Sequence, residues 1–396
     1  MSRHLNVKNT MAISLAVALC LQRLSMAIGS IFLGISIVCF LYLLKQSYND
    51  RNLRERIEQY KAYYLIFAFT ILSFLPSVIF SENMKDSLKL FCEMWFYRMM
   101  PFYIITLFID SKKLLKLLFI CLLCSISIDS LVALGQVLLG ITYRGWGFGG
   151  NSLNLASILS IVIPIVLVVI LDNTFLLNLK KKFSIAFFCM ILGVLAGKSR
   201  GAWLTLSIVA TIIILIYAMR NKRLLVYGIL AFICLGGFFV TSNDYKNRFI
   251  SIADTTINNS NLARISLWKS SWNMIKDHPI VGVGLGQFGN EYQTKYFLEK
   301  KFSHYNHCHN NILKIWTETG TIGLIGFLIM SLYILLSNFR IWFKDKNPYS
   351  LMIWSSWLSF MIFGMFDVII DHAAITKIWW FLLGTLLVML NKRLSL

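Results

Sequence analysis

Residues 309–337 read HNNILKIWTETGTIGLIGFLIMSLYILLS and lie where a long polar loop runs into an apolar helix. The stretch opens with His309-Asn310, and Gly320-x-x-Gly323 follows after a spacing of nine residues. An apolar segment of this length predicts a membrane-spanning helix, so the imidazole of His309 is expected at a membrane surface. Imidazole changes charge near neutral pH and can carry a proton or contact an anion. His309 is therefore a candidate functional residue.

The composition of the whole chain is that of a membrane protein. Of its 396 residues, 57% are hydrophobic and 14% are charged, and the mean hydropathy is +0.68. A soluble core could not bury so much apolar surface. The net charge of +20 raises the alternative of a nucleic-acid partner, but the basic residues lie in short clusters between apolar runs. We expect an all-α polytopic membrane protein that contacts membrane lipids and binds no nucleic acid.

Twelve apolar segments are long enough to be considered as spans. They lie near residues 10–23, 26–44, 61–80, 91–109, 113–140, 153–171, 183–197, 201–219, 223–241, 311–337, 350–370 and 374–391. Alternate connections carry most of the Lys and Arg residues, for example Lys180, Lys181 and Lys182. The positive-inside bias therefore predicts cytoplasmic N and C termini and an external loop 242–310.

These segments predict one membrane domain with one external subdomain. Residues 1–241 would form transmembrane helices 1–9, residues 242–310 the external loop, and residues 311–396 helices 10–12. The first apolar segment has no small-residue cleavage site and is followed at once by another, so we interpret it as a span rather than a signal peptide.

Within the loop, residues 261–277 carry apolar side chains at helical spacing. We predict an amphipathic helix that lies on the membrane surface, with Lys269 and Asn273 on its opposite, polar face. Arg264 falls in its first turn, where the helix dipole favours a bound anion. A solvated arginine on a polar face is the alternative.

The segment Gly282–Gly289 contains a literal G-x-G-x-x-G. The dinucleotide fingerprint requires a strand before it and a helix after it in a parallel sheet, and no such unit surrounds this segment. We instead expect a flexible loop in which Gly284 and Gly286 let the backbone approach a ligand or the bilayer.

A group of possible metal ligands follows, formed by His304, His307, Cys308 and His309. The adjacent Cys308 and His309 cannot easily converge on one ion, and no second ligand pair lies nearby in the sequence. We predict no metal site and no cofactor. An interfacial histidine without a chemical role remains the alternative to a titrating or phosphate-binding one.

Two arginines lie on the predicted outer face, where the positive-inside bias disfavours them. Arg200 sits in a tight turn between two apolar helices, and a charge pushed towards the bilayer centre costs about 2.5 to 3.5 kcal/mol. Arg144 begins a glycine-rich loop whose Trp146 stacks on a sugar or anchors at the interface. We treat Arg200, Arg144 and Trp146 as candidate site residues.

Two pairs of charged residues are expected to have structural roles. Arg98 and Asp129 are predicted at similar depths on consecutive helices, so we expect them to form an ion pair. Lys314 and Glu318 lie four residues apart on one helix and are expected to pair without a catalytic role.

Together, Arg200, Arg264 and His309 share the outer face, and arginine suits bidentate contact with phosphate oxygens. Nucleotides are scarce outside the cell, and the chain carries no ATP-binding motif. A reaction on this face must therefore use an energised substrate that is made inside and moved across. A polyprenyl diphosphate sugar meets that requirement.

The stretch His309-Asn310-x9-Gly320-x-x-Gly323 resembles the pattern H-[NSQ]-x9-G-x-x-[GTY] of the bacterial O-antigen ligase family, within a ligase and polymerase superfamily of membrane glycosyltransferases. Arg200 after Ser199, and Arg264 ahead of Trp268, support the resemblance. It implies a lipid-dependent (GT-C-type) glycosyltransferase architecture in the bacterial inner membrane. It also implies metal-independent, inverting transfer of undecaprenyl-diphosphate-linked O-antigen to the outer-core sugar of lipid A-core at the periplasmic face.

The resemblance also assigns roles to residues. Arg200 and Arg264 would hold the diphosphate, and His309 would act as a base for the acceptor hydroxyl or orient the phosphate. The substrate-binding positions that complete the motif are Asn310, Gly320 and Gly323. At the two glycines, the absence of a side chain lets a helix or lipid chain come close.

Three other functions remain open at this point. An O-antigen polymerase would use the same donor, and a protein-glycosylating ligase would use a different acceptor. The end of the chain directly after the last apolar segment favours the lipopolysaccharide ligase. A lipid-linked glycan flippase would also have twelve spans, but it predicts inverted repeats that this sequence does not display.

Overall fold

The computed structural model describes residues 2–172, 180–251 and 259–394, and within these ranges it contains helices and no strands. The helices are α1 (Ser2–Leu21), α2 (Met26–Gln46), α3 (Arg51–Gln59), α4 (Lys61–Ile79), α5 (Met84–Cys92), α6 (Met100–Phe108), α7 (Lys112–Leu138), α8 (Ser152–Leu171), α9 (Lys180–Gly197), α10 (Arg200–Ala218), α11 (Arg223–Thr241), α12 (Asn243–Ile250), α13 (Asn259–Asp277), α14 (Phe288–Glu291), α15 (Asn311–Asp345), α16 (Pro348–Phe363) and α17 (Ala373–Leu394).

In the described ranges, seven helices are long and apolar enough to cross a membrane. They are α2, α4, α7, α8, α10, α15 and α17. The protein is therefore an all-α, multi-pass membrane protein, as its composition predicts.

The helices pack around α8 and α17, which are the most completely buried of these seven. Helix α8 contacts α16, α9 and α10, and helix α17 contacts α6 and α16. The N-terminal helices α1 and α2 form a hairpin beside α7, and α15 packs along α4. Because α8 and α17 are apolar on nearly every side, they fit an interior position rather than an amphipathic one at the periphery.

Two predicted segments are not continuous helices. The segment 91–109 is divided into α5, a π-helical turn at Glu93–Tyr97, and α6. The segment 350–370 stops being helical at Phe363, and residues 364–372 form a loop before α17. This loop contains Val368 and Ile369, which are almost wholly buried against protein. Hydropathy alone cannot distinguish such a buried loop from a helix facing lipid.

The predicted ion pair between Arg98 and Asp129 is wrong. Asp129 pairs instead with Arg23 of the α1–α2 turn, with 2.8 Å between Oδ2 and Nε, and both side chains are more than 90% buried. Arg98 pairs with Glu93 at 2.8 Å and donates to the backbone carbonyl of Asp371 at 2.6 Å. The pairing differs because α7 packs beside α1, whereas α6 packs beside α17.

Helix α15 is broken at Gly320, whose φ of 62° and ψ of −169° are accessible essentially only to glycine. The loop after α13 supplies the hydrogen bonds that the break removes. Before the break, the carbonyl of Thr317 accepts from the Val283 amide at 2.9 Å. After it, the Thr321 amide donates to the carbonyl of Pro279 at 2.9 Å. The start of α15 and the glycine-rich loop are therefore joined through their backbones.

We expect Gly320→Ala to destabilise the protein by at least about 1 to 3 kcal/mol, the usual cost of a strained backbone conformation. A Cβ at this position would lie within 2.2 Å of the Ile280 carbonyl oxygen, which adds a steric cost. Thermal denaturation of the detergent-solubilised protein measures the effect. Gly135→Ala in α7 is the matched control, because nothing lies within 4 Å of a Cβ there. Equal melting temperatures for the two variants would contradict the assigned role of Gly320.

Candidate active site

His309 and Asn310 form the turn that leads into α15. His309 has a positive φ of 54°, which is uncommon for a residue other than glycine and turns the chain sharply. The side-chain oxygen of Asn310 accepts from the Leu313 amide at 3.1 Å and caps the helix. Asn310 is almost fully buried, so the structure places it as the residue that fixes the direction of the His309 turn.

His309 is paired with Asp367, a residue that the sequence analysis did not identify. The His309 Nδ1 and Asp367 Oδ1 atoms are 2.9 Å apart, and 17% of the His309 side chain remains exposed. An ionised carboxylate can only accept, so Nδ1 carries the proton and Nε2 keeps a free lone pair. Burial acts to raise the pKa of Asp367, but hydrogen bonds from His309 and the Val368 amide outweigh it and hold that pKa below its usual value. The pair therefore presents a basic nitrogen beside a fixed negative charge.

The loop that carries Asp367 is held against the start of α15 by Asn311. The Asn311 amide donates to the Gly364 carbonyl at 2.6 Å, and its side-chain oxygen accepts from the Ile369 amide at 2.9 Å. Asn311, two residues after His309, thus fixes the position of the loop that carries Asp367. Sequence reasoning missed Asp367 because it lies 58 residues from its partner, inside an apolar run.

A buried ion cluster supports the same region. Lys314 contacts the carboxylates of Glu318 and Asp371, and its Nζ lies 2.9 Å from the Asp371 Oδ2. Glu318 also accepts from the amides of Gly286 at 3.0 Å and Phe288 at 3.3 Å. The predicted pairing of Lys314 with Glu318 is confirmed, and Asp371 is an additional member. The cluster ties α15 to the Asp367 loop and to the glycine-rich loop.

The candidate glycines lie against protein in this structure. A Cβ at Gly284 would meet the Ser81 hydroxyl at 2.5 Å, and one at Gly286 would meet Leu90 at 2.7 Å. A Cβ at Gly323 would meet Thr319 at 2.1 Å within the same helix. With Gly320 at the break in α15, these positions permit close packing of the loop.

Arg264 lies beside the His309–Asp367 pair, and three further arginines from other elements lie close enough to it or to one another to interact electrostatically. Arg264, in the first part of α13, donates to the carbonyl of Phe366, next to Asp367, at 3.0 Å. Arg200, at the start of α10, contacts Ser251 and Asn261. Arg144 donates from Nε to the Gly197 carbonyl at 3.0 Å, and Arg248 donates to the Lys198 carbonyl at 2.9 Å. The structure therefore brings together the predicted Arg144, Arg200 and Arg264 and adds Arg248.

The charges of these arginines oppose one another. Burial, together with the neighbouring charges of Arg248 and Arg200, lowers the pKa of Arg144 to about 10. Burial also lowers the pKa of Arg264, with Arg248 acting in the same direction and Asp367 acting against it. The Arg144 Nη2 atom is buried and has no hydrogen-bond partner among the described residues. A bound anion would satisfy this donor and offset the repulsion between the arginines.

Contacts with α7 and with the α1–α2 turn anchor the loop that carries Arg144. Asp129 accepts from the Phe148 amide at 2.7 Å, and Arg23 donates to the Trp146 carbonyl at 3.0 Å. Gln136 accepts from the Trp146 amide at 3.1 Å. These contacts fix the backbone of Trp146, whose side chain is partly buried. The Arg23–Asp129 pair thus acts on the site through the Arg144 loop.

One set of side chains has the composition of a metal site. The ligand atoms of His307, His309 and Asp367 all lie within 4.8 Å of one another. Burial lowers the pKa of His307 to about 4, and the charge of His309 contributes. His307 is therefore neutral near pH 7, the form that binds metals and that also adds no charge next to His309. The buried Cys308 instead directs its thiol to the Asn310 carbonyl.

Comparison with known proteins identifies the segment that contains most of this site. Residues 185–328 match the family model described as O-antigen ligase. The resemblance that the His309 motif indicates is therefore confirmed. The O-antigen ligase segment includes Arg200, Arg248, Arg264 and His309, whereas Asp367 lies beyond the matched residues.

Two curated relatives that carry the name polysaccharide ligase are similar over a longer stretch. The protein of Rickettsia conorii is 26% identical over 249 residues, which are 60% of this chain and 56% of the relative. That of Rickettsia felis is 26% identical over 247 residues, which are 60% of this chain and 57% of the relative. The chain thus spans slightly more than half the length of these relatives. Both names agree with the description of the family model that residues 185–328 match.

Proposed function

We propose that this protein is an O-antigen ligase that transfers undecaprenyl-diphosphate-linked O-antigen to the outer-core sugar of lipid A-core. The reaction would take place at the periplasmic face of the bacterial inner membrane. The observation that carries the proposal is the His309–Asp367 pair with Arg264 beside it, in a group of arginines whose other members are Arg144, Arg200 and Arg248. An anion-binding cluster next to a basic nitrogen suits the transfer of a group from a diphosphate to a hydroxyl.

In the proposed reaction the arginines bind the diphosphate of the donor. Arg264 and Arg200 contribute guanidinium groups that fit phosphate oxygens, and Arg144 contributes a buried Nη2 donor that has no partner among the residues that the structure describes. Negative charge grows on the diphosphate as the sugar leaves, and preorganised donors stabilise that charge more in the transition state than in the ground state. Each charge-assisted hydrogen bond contributes about 1.5 to 3 kcal/mol. This charge stabilisation replaces the one that a divalent metal would give.

His309 would activate the acceptor. Its Nε2 takes the proton of the acceptor hydroxyl while the hydroxyl oxygen forms a bond to the anomeric carbon of the donor sugar. The bond from that carbon to the diphosphate oxygen breaks, and its electron pair leaves with the diphosphate. A single displacement of this kind inverts the anomeric configuration. Asp367 stabilises the imidazolium that forms, because its ionised carboxylate lies 2.9 Å from Nδ1.

We further propose twelve membrane crossings in a lipid-dependent glycosyltransferase (GT-C-type) architecture. In addition to the seven long apolar helices, the crossings would be α1, the divided α5–α6 segment, α9, α11 and α16. Both termini would then lie in the cytoplasm, and the 242–310 loop with the arginine cluster would lie in the periplasm. The distribution of Lys and Arg among the connections supports this orientation.

Reconstitution of the purified protein with lipid-linked O-antigen and lipid A-core tests the proposal. We expect capped lipopolysaccharide and free undecaprenyl diphosphate, at a rate that a chelator does not change, because arginines provide the positive charge. Elongated lipid-linked glycan without capped lipid A-core would identify a polymerase, and movement of the donor without products would identify a flippase. Loss of transfer with the chelator, restored by one divalent ion, would assign a metal to His307, His309 and Asp367.

A further inference from the structure

The outward face of α13 does not have the composition expected for a helix lying on a membrane. The side chains that turn inward include Ala263, Leu267 and Met274, together with three serines. Trp268 and Trp272 remain 38% and 46% exposed. Lys269 and Asn273 lie beside the tryptophans on this exposed face, not opposite to them as the sequence analysis predicts. A membrane-lying helix separates its apolar and polar residues, whereas this face mixes them.

This face forms one side of an open groove. The groove has a volume of about 510 Å³ and is lined by Ile265, Trp268, Lys269, Trp272, Asn273 and Leu298. Its size lies within the range of small-molecule sites, which combine aromatic walls with a few polar groups. The two tryptophans supply the walls, and the Lys269 amine and the Asn273 amide supply hydrogen-bonding groups. This combination fits a sugar, whose rings present an apolar C–H face bordered by hydroxyls.

The groove lies next to the proposed active site along α13. Arg264, Trp268 and Trp272 follow one another at intervals of four residues, so they share one side of α13. At 1.5 Å per residue the eight-residue step from Arg264 to Trp272 covers about 12 Å along the helix. The indole N–H of Trp268 donates to the carbonyl of Cys308 at 3.0 Å, directly before His309. A chain that starts at the arginine cluster and runs along α13 therefore enters the groove.

We propose that this groove binds the glycan of the lipid-linked donor, with a sugar ring stacked on Trp272 and hydroxyls bonded to Lys269 and Asn273. The proposal rests on the proposed function, which places the donor diphosphate at Arg264. The first sugar of the donor is attached to that diphosphate, so the next sugars extend from Arg264 along the helix. The acceptor approaches from the His309 side and does not need this groove.

Kinetics of the reconstituted protein test the proposal. We expect Trp272→Ala to raise the KM for the lipid-linked donor about tenfold, equivalent to about 1.4 kcal/mol, with little change in kcat or in the KM for lipid A-core. Trp272→Phe, which keeps an aromatic ring, should recover most of the affinity. Lys276→Gln is the matched control, because Lys276 lies on the same helix outside the groove. An unchanged donor KM in Trp272→Ala would overturn the proposal.

Binding measured without turnover separates this proposal from the proposed function. Released O-antigen oligosaccharide, added to the wild-type protein, should change tryptophan fluorescence, and the change should be lost in Trp272→Ala. Core oligosaccharide and phosphatidylglycerol vesicles are the other two probes, and a response to either of these alone would overturn the donor assignment. Glycan binding without transfer would contradict the ligase function and support the assignment of the groove as a glycan site. Transfer without glycan binding would support the ligase function and overturn the assignment of the groove.

Discussion

Replacing His309 by alanine is expected to lower kcat for glycan transfer by about 10²- to 10⁴-fold while the protein still inserts in the membrane. The size of the effect follows from the loss of the nitrogen that takes the acceptor proton. Transfer to lipid A-core by purified protein measures it, and solubility in detergent with an unchanged elution profile reports folding. His278→Ala is the control, because His278 is an exposed histidine of the same loop. Normal transfer by His309→Ala would remove this residue from the site.

Asp367→Asn distinguishes the two roles considered for His309. If His309 is a base, the amide cannot stabilise an imidazolium, so kcat should fall and the pH dependence of kcat should change. If His309 only orients a phosphate, the variant should change the donor KM and leave the pH profile of kcat as it is. The second result would contradict the role of His309 as a base and would be compatible with the proposed ligase activity.

Arg264→Ala is expected to lower kcat by about 10²- to 10³-fold, the usual cost of removing one preorganised donor to a developing negative charge. Arg264 is suited to this role because it contacts the carbonyl next to Asp367 and belongs to a cluster whose charges repel one another. Arg264→Lys should restore only part of the activity, since an ammonium group cannot make the bidentate contact. Donor titrations with the reconstituted protein separate kcat from KM.

Arg51→Ala controls for the loss of a positive charge, because the Arg51 side chain is 91% exposed and lies in α3, outside the arginine cluster. Wild-type kcat in Arg264→Ala would mean that the cluster does not stabilise the leaving group. Arg200→Lys gives an independent comparison. Arg200 donates to Ser251 and Asn261 through different terminal nitrogens, so a lysine, which has a single amine, should lose one of these contacts as well as weaken phosphate binding.

The parts of the site that the sequence predicts are those encoded locally. The position of His309 before an apolar helix, and of Arg264 near the start of a helix, follows from the pattern of neighbouring residues. The predicted first-turn position of Arg264 is wrong, because α13 includes Asn259 and Arg264 therefore lies in its second turn. Asp367 and Asn311 could not be identified in this way, because their roles depend on contacts between residues 58 positions apart, and Asp367 lies in a run that hydropathy assigns to a span. Arg248 was missed for a similar reason, since its significance comes from Arg144 and Arg200.

The same limit applies to the fold. Apolar segments were recognisable, yet the partner of Asp129 depends on which helices become neighbours, and the break in α15 depends on hydrogen bonds from a loop about 35 residues earlier in the chain. The sequence shows that positions 320 and 284 are glycines. Their function in joining two backbones appears only when both segments are present in the structure.

The contact between Asn311 and the loop before α17 has a consequence for biosynthesis. During translation, Arg144, Arg200 and Arg264 are made long before Asp367, and the loop that carries Asp367 is held in place through Asn311, Lys314 and Asp371. In the proposed mechanism the reaction centre therefore stays incomplete until residues 364–372 have been synthesised and packed against α15. A partly synthesised protein in the membrane would contain the arginines and His309 without the Asp367 carboxylate that pairs with the histidine. Activity would begin only when the last helices join the bundle.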